Sequence, residues 1–464
     1  MSQCIPGPNS LPVQIQVREL AQSGGLPFQE VLSGEFIAQA LEAERVWCRE
    51  CVYQPEVTLR TFLWQVLSPD HSCRDAVAQL IATRMQEGRA LPSPDTDPYC
   101  KARQRLPEEV CARLARQVGA ELHASDTKHG RLAGRPVKLV DGTTLSMPDT
   151  PRNQAAYPQS KSQAPGVGFP MMRVVALLSL ATGAVLDLAL GRYSGKQTGE
   201  TALFRQMWKS LFPGDIVVGD RFFASFWDLA LLQQREVDGV YRQHHLRPID
   251  FRRGRQLGPD DHLLTWSKPP RPAWMDEETY RHIPEELVVR EVRVRVNQRG
   301  WRVRELVIVT TLLDDAVVSP EDLARVYLAR WQAEVDLRSI KITMQMDVLR
   351  CKSPAMVRKE VWMHLLAYNL VRTTIAQAAS LHGLAPRSIS FKGALQTLNA
   401  FRAACRITSG AARERVLQTL YAAIATHLVG DRPGRFEPRA IKRRPKSQAL
   451  LTVPRAVARE RLAS

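Results

Sequence analysis

Between Pro136 and Gln243 the order of elements written into the chain restricts the fold to a narrow class. A strand-like run, PVKLVDGTT at 136–144, is followed by MRVVALLSL from Met172 and GAVLDLALGRY from Gly183, split at Ala181 to Gly183 as a hairpin would be. TALFRQMWKSLF from Thr201 then reads as a helix, DIVVGDRFF at 215–223 as a strand, WDLALLQQ from Trp227 as a helix and GVYRQ from Gly239 as a strand. Three antiparallel strands followed by alternating helix and strand predict an α/β domain with a ribonuclease H-like core.

Two of these strands end on acids. Asp141 precedes a glycine, and Asp220 repeats the form after Gly219. An acid at the end of a buried strand has its backbone fixed by the sheet while its side chain emerges where ligands reach it. A third acid, Glu334, lies in YLARWQAEVDLRSIK at 327–341. On a continuous α-helix, Tyr327, Arg330, Glu334 and Lys341 fall at about 0°, −60°, −20° and −40°, one narrow face spread over about 21 Å. A solvated, salt-bridged helix face is the competing reading of that stripe. Three carboxylates from two strands and a helix form an oxygen-only set, the kind that selects Mg²⁺ or Mn²⁺. A pair of such ions suits in-line phosphoryl displacement.

DGTT from Asp141, GDRFF from Gly219 and the Tyr-Arg-Glu-Lys spacing at 327, 330, 334 and 341 stand in this order over residues 130–375. PDTPRNQAAYP from Pro148 and HLLAYNLVR from His364 accompany them. Together these motifs resemble DDE transposases of the insertion-sequence-four type. The resemblance implies a core in which Asp141, Asp220 and Glu334 carry two metal ions. It also implies cutting and rejoining of double-stranded DNA at an element's terminal inverted repeats and at a target. By the same resemblance Tyr327, Arg330 and Lys341 grip terminal phosphates, cleavage passes through a DNA hairpin, and the chain works as a homodimer on DNA. A metal-dependent nuclease of the same core that never joins strands is the first alternative. A non-catalytic DNA-binding descendant is the second, and it predicts the loss of at least one acid.

The 113 residues between Asp220 and Glu334 exceed what a helix, a strand and short loops need, so an insertion is expected at 246–310. Within it VVREVRVRVNQRGWRVRELVIVTT alternates, with a turn at Asn297 to Gly300. The alternation puts Val292, Val294, Val296, Trp301 and Val303 on one face, and Arg293, Arg295, Arg302 and Arg304 on the other. An arginine-lined β-face suits phosphate. The family resemblance adds an aromatic that stacks on a flipped base. The strand ELVIVTT carries none, which leaves Trp301 or Trp266 for that role. Arg350 and Lys352 fall in a turn expected beside the site, within reach of flanking DNA.

An excess of 64 Lys and Arg over 47 Asp and Glu, a formal charge of +17, favours a polyanionic partner. No apolar run is long enough to span a membrane and MSQCIPGP at the N-terminus lacks the regions of a secretory signal, so a cytoplasmic, nucleoid-associated protein is expected. The eight cysteines form no dense framework. Cys48 and Cys51, with His71 and Cys73 further on, have spacings that zinc accepts, but the pair lies in a helix-like stretch where cysteines act as small hydrophobes. The expected organisation is an N-terminal helical, DNA-binding domain at 1–125, core at 126–245, β-rich insertion at 246–310, core with the catalytic helix at 311–400, and C-terminal helices with a basic tail at 401–464. In that tail ten Lys or Arg from 431 onward face three acids, with IKRRPK from Ile441 at the centre.

Overall fold

The computed structural model describes residues 31–46, 51–295, 305–407, 410–430 and 449–463. They divide into two compact units, one built from 1–129, 181–186 and 336–430 and the other from 130–180, 187–335 and 431–464. Among the described residues the first unit begins with helices α1 (Gly34–Ala43), α2 (Pro55–Leu67), α3 (Cys73–Gln86), α4 (Asp97–Arg105) and α5 (Glu108–Ser125). Their starts follow capping chemistry: the Ser33 and Ser72 hydroxyls accept amide hydrogens of Phe36 and Asp75, and Pro55 stands in the first turn of α2.

The second unit is organised by one sheet. Its strands are β1 (Arg131–Leu132), β2 (Arg135–Ser146), β3 (Met171–Ser179), β4 (Val185–Arg192), β5 (Ile216–Gly219) and β6 (Asp238–Arg242), then β7 (Arg255–Gly258), β8 (Asp261–Ser267), β9 (Glu286–Arg295) and β10 (Glu305–Thr310). Helices α6 (Pro151–Ala156), α7 (Glu200–Gln206), α8 (Phe226–Gln233) and α9 (Glu277–His282) come between them. The strand order is β4-β3-β2-β5-β6-β10-β9-β8-β7. β2 and β3 pair antiparallel, while β2, β5 and β6 are parallel. This is the ribonuclease H-like order expected from the run of elements. The insertion's strands extend the same sheet, because β10 pairs antiparallel with β6, Ile308 opposite Arg242. The turn at Asn297 to Gly300 lies outside the described residues.

One strand runs further than its sequence suggests. β2 does not end at Asp141 but continues to Ser146, because β3 stays paired with it as far as Ser146 opposite Met171. The other neighbour leaves earlier: the parallel ladder with β5 closes at Leu139 opposite Val218. Asp141 therefore sits where one flank of a central strand has opened.

The segment after β10 corrects the reading of one straight helix. α10 (Pro320–Leu328) starts on a capping box between Ser319 and Asp322. Between it and α11 (Trp331–Arg338), the amides of Arg330, Gln332 and Ala333 bond three residues back. A π-helical turn, Ser339–Thr343, then carries Lys341. Face periodicity on an ideal helix does not survive a tight turn followed by a wide one. Further on come α12 (Pro354–Leu381), α13 (Phe391–Ile407), α14 (Gly410–Ala425) and α15 (Arg455–Ala463). Buried along most of its length, α12 packs on α5 and α2 of its own unit. At its middle, the Asn369 amide nitrogen donates to the carbonyls of Ala115 and Val185 at 2.9 Å each. No helix among the described residues is long and apolar enough to cross a membrane.

Gly219, the residue before Asp220, is closely packed between the two acids' strands. A Cβ there would lie 2.8 Å from Val140 Cγ1 and 3.0 Å from the Phe223 ring, both in the buried core. Gly219→Ala should therefore cost about 1 to 3 kcal/mol of stability by overpacking. An unchanged denaturant midpoint would show that the core gives way freely at this point.

Candidate active site

Register brings the two aspartates level. Leu139 of β2 faces Val218 of β5, and each aspartate lies two residues further along its own strand. Two residues is one strand repeat, so both side chains leave the same face of the sheet. The Asp141 carboxylate accepts the Gly142 amide at 2.9 Å, and that of Asp220 accepts the Arg221 amide at 2.6 Å.

Glu334 joins through Arg330. The Arg330 guanidinium lies 2.8 Å from Glu334 Oε1 and 3.8 Å from Asp141 Oδ2. Tyr327, one turn earlier, is buried, and its carbonyl accepts the Arg330 amide at 3.0 Å. Burial pushes its phenol pKa up, Arg330 opposes that, and the neighbouring Asp220 charge reinforces it. The three acids, Tyr327 and Arg330 thus form one connected electrostatic group. Lys341, Arg350 and Lys352 belong to the other compact unit. Arg350 and Lys352 are exposed in the turn before α12, where Glu360 accepts the Arg350 amide at 3.0 Å.

Two further residues stand at this group without a motif to announce them. Glu200, at the start of α7, approaches β2 so closely that a Cβ on Gly142 would lie 2.5 Å from its carboxyl carbon. A side chain at position 142 would make this glutamate turn aside. Arg242, at the end of β6, acts on the Tyr327 phenol. Their signal is tertiary, and no spacing along the chain contains it.

The oxygen-only donor set matches Mg²⁺ or Mn²⁺ in chemistry. Among the described residues no three His, Cys, Asp or Glu groups already close around a single point. Positive charge between Asp141 and Glu334 comes from Arg330 instead.

Arg293 and Arg295 project from β9 as the alternation requires, but acids from β10 and from the turn between β7 and β8 meet them. Arg293 pairs with Glu305 at 3.2 Å and Asp260 at 3.5 Å, and Arg295 with Asp260 at 3.1 Å. Arg302, Arg304 and Trp301 lie outside the described residues. Trp266 is buried, with the Arg247 guanidinium 3.6 Å from its ring centroid. The exposed aromatic next to Asp220 is Phe222, on the wall of a cleft of about 460 Å³ that also includes Trp227 and His244.

Burial pushes the Asp141 carboxyl up to about 6; its own Gly142 amide and Arg330 oppose the shift, and Glu334 and Glu200 add to it. A raised folded-state pKa means that the neutral form is the stabilising one, fully so below about 3.8, and that this contribution fades as pH rises through about 6. In chelator, Asp141→Asn should be more stable than the parent above that pH, by up to about 3 kcal/mol. The gap should narrow as pH falls towards 4. Denaturant midpoints across this range would check it, and a gap independent of pH would contradict the assignment.

Over 301 residues the chain is 30% identical to the transposase InsG for insertion sequence element IS4 of Escherichia coli (strain K12). The match takes in 63% of this chain and 64% of that protein, so the chain spans somewhat under two thirds of the length of this curated relative. A cryo-EM structure of the piggyBac transposase synaptic complex with hairpin DNA aligns over 90% of this chain and 81% of that one, at a TM-score of 0.40 and 10% identity. The family model described as Transposase DDE domain matches residues 132–370, over half of the chain and inclusive of all three acids. With DGTT, GDRFF and the Tyr-Arg-Glu-Lys series inside that span, the chain belongs to the DDE transposases of the insertion-sequence-four type.

Proposed function

We propose that this chain binds the ends of its own mobile element, cuts the DNA there and joins the freed ends to a target. The observation that carries this reading is the convergence of Asp141, Asp220 and Glu334 from two level parallel strands and one helix upon Arg330 and Tyr327. When bound by the three carboxylates, two Mg²⁺ or Mn²⁺ ions would supply charge for the entering and leaving oxygens of an in-line displacement and lower the pKa of the attacking hydroxyl. The chain's own residues do the rest. The three acids hold the ions, Tyr327 and Arg330 with Lys341 grip terminal phosphates, and Arg350 and Lys352 reach flanking DNA. The arginines of the insertion at 246–310, Arg293, Arg295, Arg302 and Arg304, hold the duplex, and Trp301 is retained as the base-stacking aromatic. Joining requires two ends in register against one site, which assigns the active species as a homodimer on double-stranded DNA. The helical segment 1–125 would bind the terminal repeats, the basic tail would add sequence-independent attraction, and the workplace would be the nucleoid.

Replacing Asp141, Asp220 or Glu334 singly with Ala should lower Mg²⁺-dependent nicking of end-containing DNA by at least about a hundredfold, the equivalent of several kcal/mol of transition-state charge stabilisation. Binding should be largely retained, since the acids hold ions and not DNA. Any one variant that cleaves at near the parent's rate would show the triad to be misassigned. A parent that nicks but never joins two labelled ends would favour the nuclease alternative.

Arg330 and Lys341 should act on positioning. Arg330→Ala and Lys341→Ala ought each to weaken the end complex and reduce the salt slope of binding by about 0.9 for every phosphate that is no longer neutralised. Unchanged slope together with unchanged cleavage would return both side chains to an ordinary ion-paired helix face.

A further inference from the structure

Away from the acids, the helical unit contains a polar cluster that the transposition reading does not use. Cys73 begins α3 just after its N-cap Ser72, and Cys100 lies in α4, with their sulfurs 3.8 Å apart. Arg103 is buried against both, its Nη2 3.2 Å from Cys73 Sγ and 3.6 Å from Cys100 Sγ. The guanidinium is itself held in place. Its Nη1 donates to Gln65 Oε1 at 3.0 Å, and its carbon lies 4.8 Å and 4.9 Å from the ring centroids of Tyr99 and Phe62. Both thiols are partly exposed, so a small oxidant reaches them.

We propose that Cys73 and Cys100 are a peroxide-reactive dithiol, one sulfur attacking the oxidant and the other resolving the product. A fixed cation beside two touching thiols favours loss of one proton from the pair and retention of the other.

The chemistry closes with hydrogen peroxide as oxidant. The thiolate of the pair attacks one peroxide oxygen, the O–O bond breaks, and the departing hydroxide takes up a proton as water, leaving a sulfenic acid. The second cysteine's sulfur then attacks the oxidised sulfur. An S–S bond forms, and the sulfenic hydroxyl leaves as a second water with the second thiol's proton. Two thiols lose two electrons, and one peroxide is reduced to two waters. The product would tie the start of α3 to α4, a corner otherwise closed by the apolar packing of Tyr53, Ala76, Val77, Tyr99 and Ala102.

The test uses the reduced full chain, treated with hydrogen peroxide, blocked with N-ethylmaleimide and digested without reductant. The main product should be a Cys73–Cys100 linked peptide, with loss of two alkylatable thiols that dithiothreitol restores. Of Cys73→Ser and Cys100→Ser, the variant that keeps the attacking sulfur should trap its sulfenic acid as a dimedone adduct, formed at least about tenfold faster than any adduct on the exposed Cys51. Cys73 and Cys100 that remain alkylatable while Cys51 oxidises would overturn the proposal. So would a linked peptide that joins other cysteines, and neither result depends on the variant's folding.

Discussion

The parallel pairing of β2 with β5 is the constraint on which the candidate site rests. It is short, three residue pairs from Val137 opposite Ile216 to Leu139 opposite Val218, yet it sets Asp141 and Asp220 at one height on one face. A slip of one residue would turn one aspartate into the core. The pairing is protected by burial on both sides, since Val137, Leu139, Val140 and residues 216–218 are almost wholly shielded. A buried ion pair also pins the two strands: Lys138 Nζ lies 2.6 Å from Asp215 Oδ2, at the residue just before β5. Desolvation offsets much of such a pair's attraction, but either charge left alone in that core would be costly, so the two stay together.

Arg330 is where the sheet and the helix meet electrostatically. One guanidinium serves Asp141, Glu334 and Tyr327, and without it two partly shielded carboxylates would face each other with nothing between them. The site is therefore costly to keep when its acids are ionised, as the raised Asp141 pKa expresses. An array of carboxylates that is costly without a cation gains most from binding one. The same arginine is the residue proposed to meet phosphate, so its attachment to the acids holds it ready beside the place where the backbone of DNA would arrive.

Much of this was legible in the chain. The strand runs around Asp141 and Asp220 and the alternation that follows gave the sheet order, because apolar continuity marks a doubly covered strand. The links from Tyr327 to Arg330 and on to Glu334 follow from their separations of three and four residues. What escaped has a common cause: it depends on partners distant in sequence. Asp141 lies inside β2 because β3 stays paired and β5 leaves, and periodicity in β2 cannot report that. The arginines of β9 looked unopposed along their own strand, whereas Glu305 on β10 and Asp260 in the turn between β7 and β8 meet them. The tight turn at Ala329 and Arg330 and the π-turn at Ser339–Thr343 have no compositional mark, such as a glycine or proline. Glu200 and Arg242 entered only through the fold.

The most direct measurement is anomalous diffraction from crystals of the DNA-bound protein grown in Mn²⁺. If Asp141, Asp220 and Glu334 form one ion-binding site, two anomalous peaks should lie within about 2.0 to 2.6 Å of their carboxylate oxygens, with all three residues contributing. Peaks elsewhere in the protein, or ions held by one of the three acids while the other two remain on Arg330 and Tyr327, would contradict that assignment.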